Sequence, residues 1–248
     1  SENTKQSLSK AGLSCSICTH KNYSLLIAKP LSSFQIFLID NRIDNLFWIT
    51  EIDMKIIDIS QEIYQGMPVY PGDPTFQSRR VNSFKQGDMC EVSEVTMGTH
   101  CGTHVDAPLH MLPDGQPLEC FSLECFIGPC RVLTVPYPVI SEKTLEELNV
   151  KPGERILLRT DPTGKYNKHA RFNPAVLSMR AAQYLAQLPV KLVGIDAPTV
   201  ENMELCDGEV HATLLRAGIP LLEGLRLEEA DKENYMLSAL PIRLTGEN

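Results

Sequence analysis

From residue 55 onward, short apolar runs rich in Val, Ile and Leu alternate with breaks of Gly, Pro, Asn or Asp, a rhythm that predicts strands separated by turns. The runs fall at 55–60, 91–96, 131–135, 155–159, 191–195, 219–222 and 235–240. Other segments repeat with a helical period instead. A helix is expected over 141–148 with Ser141 as its N-cap. A second covers 174–188 and begins on Pro174, whose missing N–H is harmless in a first turn. A third, shorter one runs over 208–216 and ends at Gly218. Interleaved strands and helices predict an α/β fold: a single domain with a mixed sheet and flanking helices. Residues 1–53 break the rhythm, mixing Ser, Asn and Lys with scattered apolar residues and holding neither period. They are read as an N-terminal extension outside the catalytic domain, which is expected over 54–248.

Charge sharpens that boundary and narrows the function. The chain carries 31 acidic against 23 basic residues, a net charge of −8. Residues 1–53 hold five of each sign, so the excess belongs to the remainder. An acidic domain lacks the basic face that a phosphate backbone needs, which argues against a nucleic-acid partner and for a small-molecule substrate. Eight cysteines in 248 residues, with no export signal, read as reduced thiols or core residues rather than a disulfide framework. Cys15 and Cys18 form a CxxC near His20, but no second ligand pair follows at zinc-finger spacing. The longest apolar stretch in the extension, 34–39, is interrupted by Gln35 and falls far short of the ~20 residues of a membrane span. A cytoplasmic protein without membrane contact is expected.

Histidine changes the picture most. Three of the chain's six histidines fall within residues 100–110, reading His-Cys-Gly-Thr-His-Val-Asp-Ala-Pro-Leu-His. Imidazole and carboxylate are good donors for Zn²⁺ or Mn²⁺ when they converge on one point. On an extended strand His100, Gly102, His104, Asp106, Pro108 and His110 share one parity, so all four donors face one cavity. Gly102 leaves room for close approach. Cys101 takes the opposite parity and reads as packing. One short segment seldom completes a metal site, and His211 and Glu223, twelve residues apart, are the downstream candidates. Glu223 ends an apolar run, where it either meets a cation or donors, or turns to solvent. Asp196 either orients a ligand histidine or caps a strand end. His169 reads as solvated loop, and Trp48 is assigned nothing.

The motif HxGTHxDAPxH, followed by His-x11-Glu-Gly-Leu, resembles the putative cyclase family, which includes the bacterial kynurenine formamidases, or arylformamidases. The resemblance runs over about 54–243 and takes in residues 57–60, Tyr70-Pro71-Gly72-Asp73 and residues 194–199. It implies a swivelling β/β/α fold, a homodimer or higher homo-oligomer, and two divalent metals, Zn or Mn. By the same resemblance His100 and His104 bind the first metal, Asp106 and Glu223 bridge the pair, and His211 completes the second. His110 is implied as acid/base rather than ligand. Tyr70 falls where the formamidases commonly carry a Trp against the substrate ring; an aromatic wall is kept while specificity for N-formylkynurenine is left open. The family usually continues past 244–246 into an Asp-Gly-x-Pro-x-Arg segment, so a truncated C-terminal strand is expected here.

The implied activity is hydrolysis of a C–N amide bond, converting N-formylkynurenine to kynurenine and formate in tryptophan catabolism. His110 would deliver a proton to the leaving amine, because an amide anion leaves poorly. Two other readings stay open: opening of a cyclic amide such as isatin, and metal binding without catalysis. A pure binding site has no need of His110 beside a complete ligand set, which weighs against the last.

Overall fold

The computed structural model describes the backbone of 37–39 and residues 55–135, 138–161, 175–202 and 207–247. The readings placed on Cys15, Cys18, His20, Trp48, His169, Pro174 and Cys206 lie outside the described residues. All described residues belong to one compact unit, Phe34–Asn248.

Four short apolar runs build the centre of the molecule. Strands β6 (Ile127–Thr134), β8 (Arg155–Arg159), β10 (Leu192–Ile195) and β11 (Leu221–Glu223) lie parallel in that order. Such strands are covered on both faces, which is why they read as continuous apolar runs. Alternation sorts their side chains: Ile156, Leu158, Val193, Ile195 and Leu221 enter one core, while Leu157, Leu192 and Leu222 enter the other. The first core is closed by α2 (Glu142–Glu147), α3 (Met179–Gln187) and α4 (Glu209–Arg216) through Leu145, Ala181, Leu185, Val210 and Leu214. The second is closed by Ile57, Ile59, Phe126, Tyr235 and Leu237.

Antiparallel strands extend the parallel centre on both sides. At one side stand β12 (Asn234–Ser238), β1 (Phe37–Ile39) and β2 (Ile57–Asp58); at the other stands β5 (His104–Asp106). The order is β2-β1-β12-β6-β8-β10-β11-β5, the mixed sheet with flanking helices expected from the sequence. Strand β1 lies within the stretch set apart by composition, and its backbone pairs with both β2 and β12. A separate hairpin, β3 (Gln77–Asn82) with β4 (Val92–Thr96), and a short parallel pair, β7 (Val139–Ile140) with β9 (Val176–Leu177), complete the strands among the described residues.

Several boundaries move from their expected places, β6 starting four residues early at Ile127, and two of the shifts have a visible local cause. The strand expected over 55–60 shrinks to Ile57–Asp58, because Ser60 N turns to donate to the Asp58 carboxylate at 3.0 Å. The helix expected over 174–188 starts at Met179 instead: residues 176–177 pair as β9, and Ser178 Oγ accepts from Ala181 N at 3.1 Å as the N-cap. The Ser141 cap is present, accepting from Thr144 N at 3.1 Å. Among the described residues no helix is long and apolar enough to cross a membrane.

Candidate metal centre

The segment 100–110 does not follow one extended strand. Residues 99–103 form turns and bends, only His104–Asp106 is strand, and Pro108–Met111 forms the helical turn α1. Parity therefore places His104 and Asp106 on one face, with Val105 turned into the second core. A tight turn brings His100 back to Asp106, and α1 carries His110 round to His100, whose ring centroid lies 4.0 Å away.

The pairing of β5 with β11 supplies the second half. It runs antiparallel with Glu223 opposite His104 and Asp106 opposite Leu221, uniting two motifs more than a hundred residues apart in the chain. Gly224 lets the strands meet: its φ is +66°, and a Cβ there would lie 2.6 Å from the Gly102 carbonyl oxygen. Thr103 Oγ1 donates to the Gly224 carbonyl at 2.6 Å and locks the same junction. Helix α4 then presents His211 from its first turn.

The donors converge closely. His100 Nδ1 and His104 Nε2 lie 2.9 and 3.3 Å from Asp106 Oδ1. His211 Nε2 lies 3.1 Å from Glu223 Oε1 and 3.6 Å from Asp106 Oδ2, and His104 Nε2 is 3.7 Å from Glu223 Oε2. The ligating atoms of His104, Asp106 and Glu223 fall within 4.8 Å of one another, as do those of His100, Asp106 and His110. Among the six histidine and acidic positions expected at the site, all six are brought together. His110 also lies within 4.8 Å of His100 and Asp106, though the three expected histidine ligands approach Asp106 more closely, at 2.9 to 3.6 Å. Glu223 does not turn to solvent: it is 2% exposed, and its Oε1 also accepts from Val200 N at 2.8 Å.

Tyr70 is 45% exposed on a turn closed by Asp73 N donating to Tyr70 O at 3.0 Å. A largely apolar cavity of about 160 Å³ adjoins His104, but neither Tyr70 nor the rest of the cluster lines it. Among the described residues Asp196 orients no histidine; its carboxylate accepts from Thr160 N, Thr160 Oγ1 and Asp161 N, capping the end of β8. Cys101 is buried with its Sγ 3.4 Å from Met67 Sδ, consistent with packing.

One residue escaped sequence reading. Glu201, 3% exposed, places Oε2 3.1 Å from His211 Nδ1 while its Oε1 accepts from the backbone N–H groups of Val210 and His211. The acid lies two residues past the Pro-Thr that ended the recognised stretch, and no periodicity marks it.

Electrostatics explain how so many charges stay buried. Burial alone disfavours the His104 imidazolium, but Asp106, Glu223 and the Gly102 carbonyl outweigh it and push its pKa up to about 9. Burial likewise opposes the His211 cation, and Glu201, Glu223 and Asp106 overcome it, pushing the pKa up to about 11. Burial would raise the Asp106 carboxyl; the surrounding imidazoles hold it well below the usual range. His110 goes the other way, lowered to about 4 by burial and by the charges of its neighbouring histidines.

The donor set fits a divalent cation. Both oxygens of Asp106 and Nε2 of His100 are buried without a hydrogen-bond partner, although imidazole nitrogens lie within 3.3 Å of Oδ1. Donor atoms that approach closely without bonding one another are arranged for something between them. His104 Nδ1 donates to the Gly102 carbonyl at 3.1 Å, which leaves Nε2 free to ligate.

Fold and site together define the class: the chain belongs to the putative cyclase family, whose model matches residues 57–202. A kynurenine formamidase of Bacillus cereus is 33% identical over 190 residues, 76% of this chain and 90% of that one. A predicted metal-dependent hydrolase of Bacillus stearothermophilus shares the fold with a TM-score of 0.67 at 30% identity, covering 79% of this chain and 94% of that one. Isatin hydrolase A of Labrenzia aggregata, at 18% identity, has the same fold with a TM-score of 0.67 over 78% of this chain and 89% of its own. The relatives are hydrolases, and this chain stands among them as one.

Proposed function

We propose that this protein is a metal-dependent hydrolase of a C–N amide bond, acting on an aryl formamide of the N-formylkynurenine type. The observation that carries the reading is the convergence of His100, His104, His211 and Glu223 on an Asp106 whose two buried oxygens have no hydrogen-bond partner. His100, His104, Asp106, His211 and Glu223 would hold one or two divalent ions, Zn or Mn, with Asp106 and Glu223 placed between the histidines. A divalent ion there supplies Lewis acidity, lowering the pKa of a bound water from ~16 to about 7 and polarising a carbonyl.

His110 does the proton work in this reading. Its ring lies 4.0 Å from His100 and 5.8 Å from His211, centroid to centroid. With a pKa of about 4 it is neutral at pH 7, the form that accepts a proton from the attacking water. It then returns that proton to the departing amine nitrogen as formate is released. The names of the relatives support the aryl formamide as substrate.

A homodimer is part of the same proposal. The hairpin β3–β4 and its loop expose Val81, Phe84, Met89, Val92 and Val95, apolar side chains that a second copy could cover. Free thiols at Cys90, Cys101, Cys120, Cys125 and Cys130 fit a reducing, cytoplasmic compartment.

The test is metal content of purified protein together with hydrolysis of N-formylkynurenine and of isatin. Bound Zn or Mn with release of formate supports the proposal. Turnover of isatin alone moves the substrate to cyclic amides. No metal after reconstitution removes the mechanism.

A further inference from the structure

We infer that Glu201 is a positioning residue that fixes the tautomer and direction of His211 so that its Nε2 can ligate; the inference rests on the metal reading of the site. Two buried carboxylates flank the His211 ring from opposite ends. Glu223 faces Nε2 at 3.1 Å, within the ligand cluster, while Glu201 Oε2 faces Nδ1 at 3.1 Å on the far side. An imidazole ligates through a lone pair, so Nε2 is available only when the ring proton sits on Nδ1. Glu201 Oε2 and His211 Nδ1 are both buried and neither bonds anything else, so a proton on Nδ1 has only this carboxylate to meet, which selects that form.

Glu201 is itself held from elsewhere. Its Oε1 accepts from the backbone N–H groups of Val210 and His211, at the start of α4. The helix has Gly208 as N-cap with no side-chain cap bond from it, so the Glu201 carboxylate, nine residues before Val210, takes that place. One side chain therefore fixes both where α4 begins and how the imidazole on its first turn is rotated. His104 is treated the same way by a different group, the Gly102 carbonyl on Nδ1.

A pure helix cap and a positioning residue differ in their response to Glu201→Gln. The amide oxygen can still accept from the two backbone N–H groups, which offer no acceptor to an NH₂. The amide nitrogen is then forced towards His211 Nδ1, where it donates and drives the ring proton to Nε2. The cap survives while the wrong nitrogen carries the lone pair.

The experiment measures Zn²⁺ affinity by chelator competition in the parent, Glu201→Gln, His211→Ala and the double variant, with Tm recorded for each. The absorption spectrum of the Co²⁺-loaded forms provides a second readout of the ligand field. We expect Glu201→Gln to keep a Tm close to the parent, to weaken metal binding by about 10–100-fold and to alter the Co²⁺ spectrum. In the His211→Ala background the same substitution should have little further effect, because it acts through that ring. Unchanged affinity in Glu201→Gln, or an undiminished loss without His211, overturns the inference while leaving the metal site standing. A parent that binds no metal overturns both.

Discussion

His110 differs from its neighbours in what its surroundings do to it. Burial and nearby imidazoles hold it neutral, with a pKa of about 4, whereas His104 and His211 are pushed up to about 9 and about 11 by the carboxylates they touch. Removing a proton carrier should spare the metal and damage turnover. His110→Ala is expected to lower kcat by about 10²–10⁴-fold at matched metal content. Parent-like turnover would exclude the role, and metal lost with activity would make His110 a ligand. The same values set the stability of the metal-free protein against pH. His104 and His211 have raised folded pKa values, so they stabilise fully below their unfolded value of about 6.5 and lose that contribution as pH rises towards 9 and beyond. His110 has a depressed value, so the unfolded chain gains a proton first and stability falls as pH drops from about 6.5 towards 4. The apo Tm should therefore peak near neutrality and decline on both sides; a Tm still rising between pH 7 and 9 would contradict this assignment.

Pairing of β5 with β11 is the element on which the site depends. It sets Glu223 opposite His104 and needs Gly224 at φ +66° against the Gly102 carbonyl. Gly224→Ala should cost about 1–3 kcal/mol and weaken metal binding together with Tm, because the added methyl pushes β11 off the 100–104 turn. Thermal unfolding and chelator competition on one preparation check both; a full-strength site in a destabilised protein would mean that the junction is structural only. The donor types were legible in the sequence because only imidazole and carboxylate supply them. Their path was not. Parity over 100–110 treated as one strand what is a turn, three strand residues and a helical turn, and the three histidines converge because the backbone folds back rather than because it runs straight. Ser178 caps α3 for a similar reason: pairing of residues 176–177 as β9 outweighs a local helical pattern.

Across the whole molecule, a site built from a turn, two strands and two helices couples metal to folding. An ion that binds only the folded chain stabilises it by RT ln(1 + [L]/Kd), about 2.7 kcal/mol at a hundredfold excess over Kd. For a domain of this size that raises Tm by several degrees, at roughly 2–4 °C per kcal/mol. Chelation should reverse the shift, and a Tm indifferent to metal would deny the linkage. By itself the sequence determined the strand rhythm of the central sheet, the capped helix after Ser141 and the identity of the clustered donors, since periodicity and donor chemistry are local properties. Tertiary structure alone decided that Glu223 is buried against His211, that Asp196 serves a strand end, and that Glu201 stands behind the His211 ring. Each of those depends on which backbone or ring a carboxylate meets, and that is fixed only when β10 pairs with β8, β5 joins β11 and α4 packs beside them.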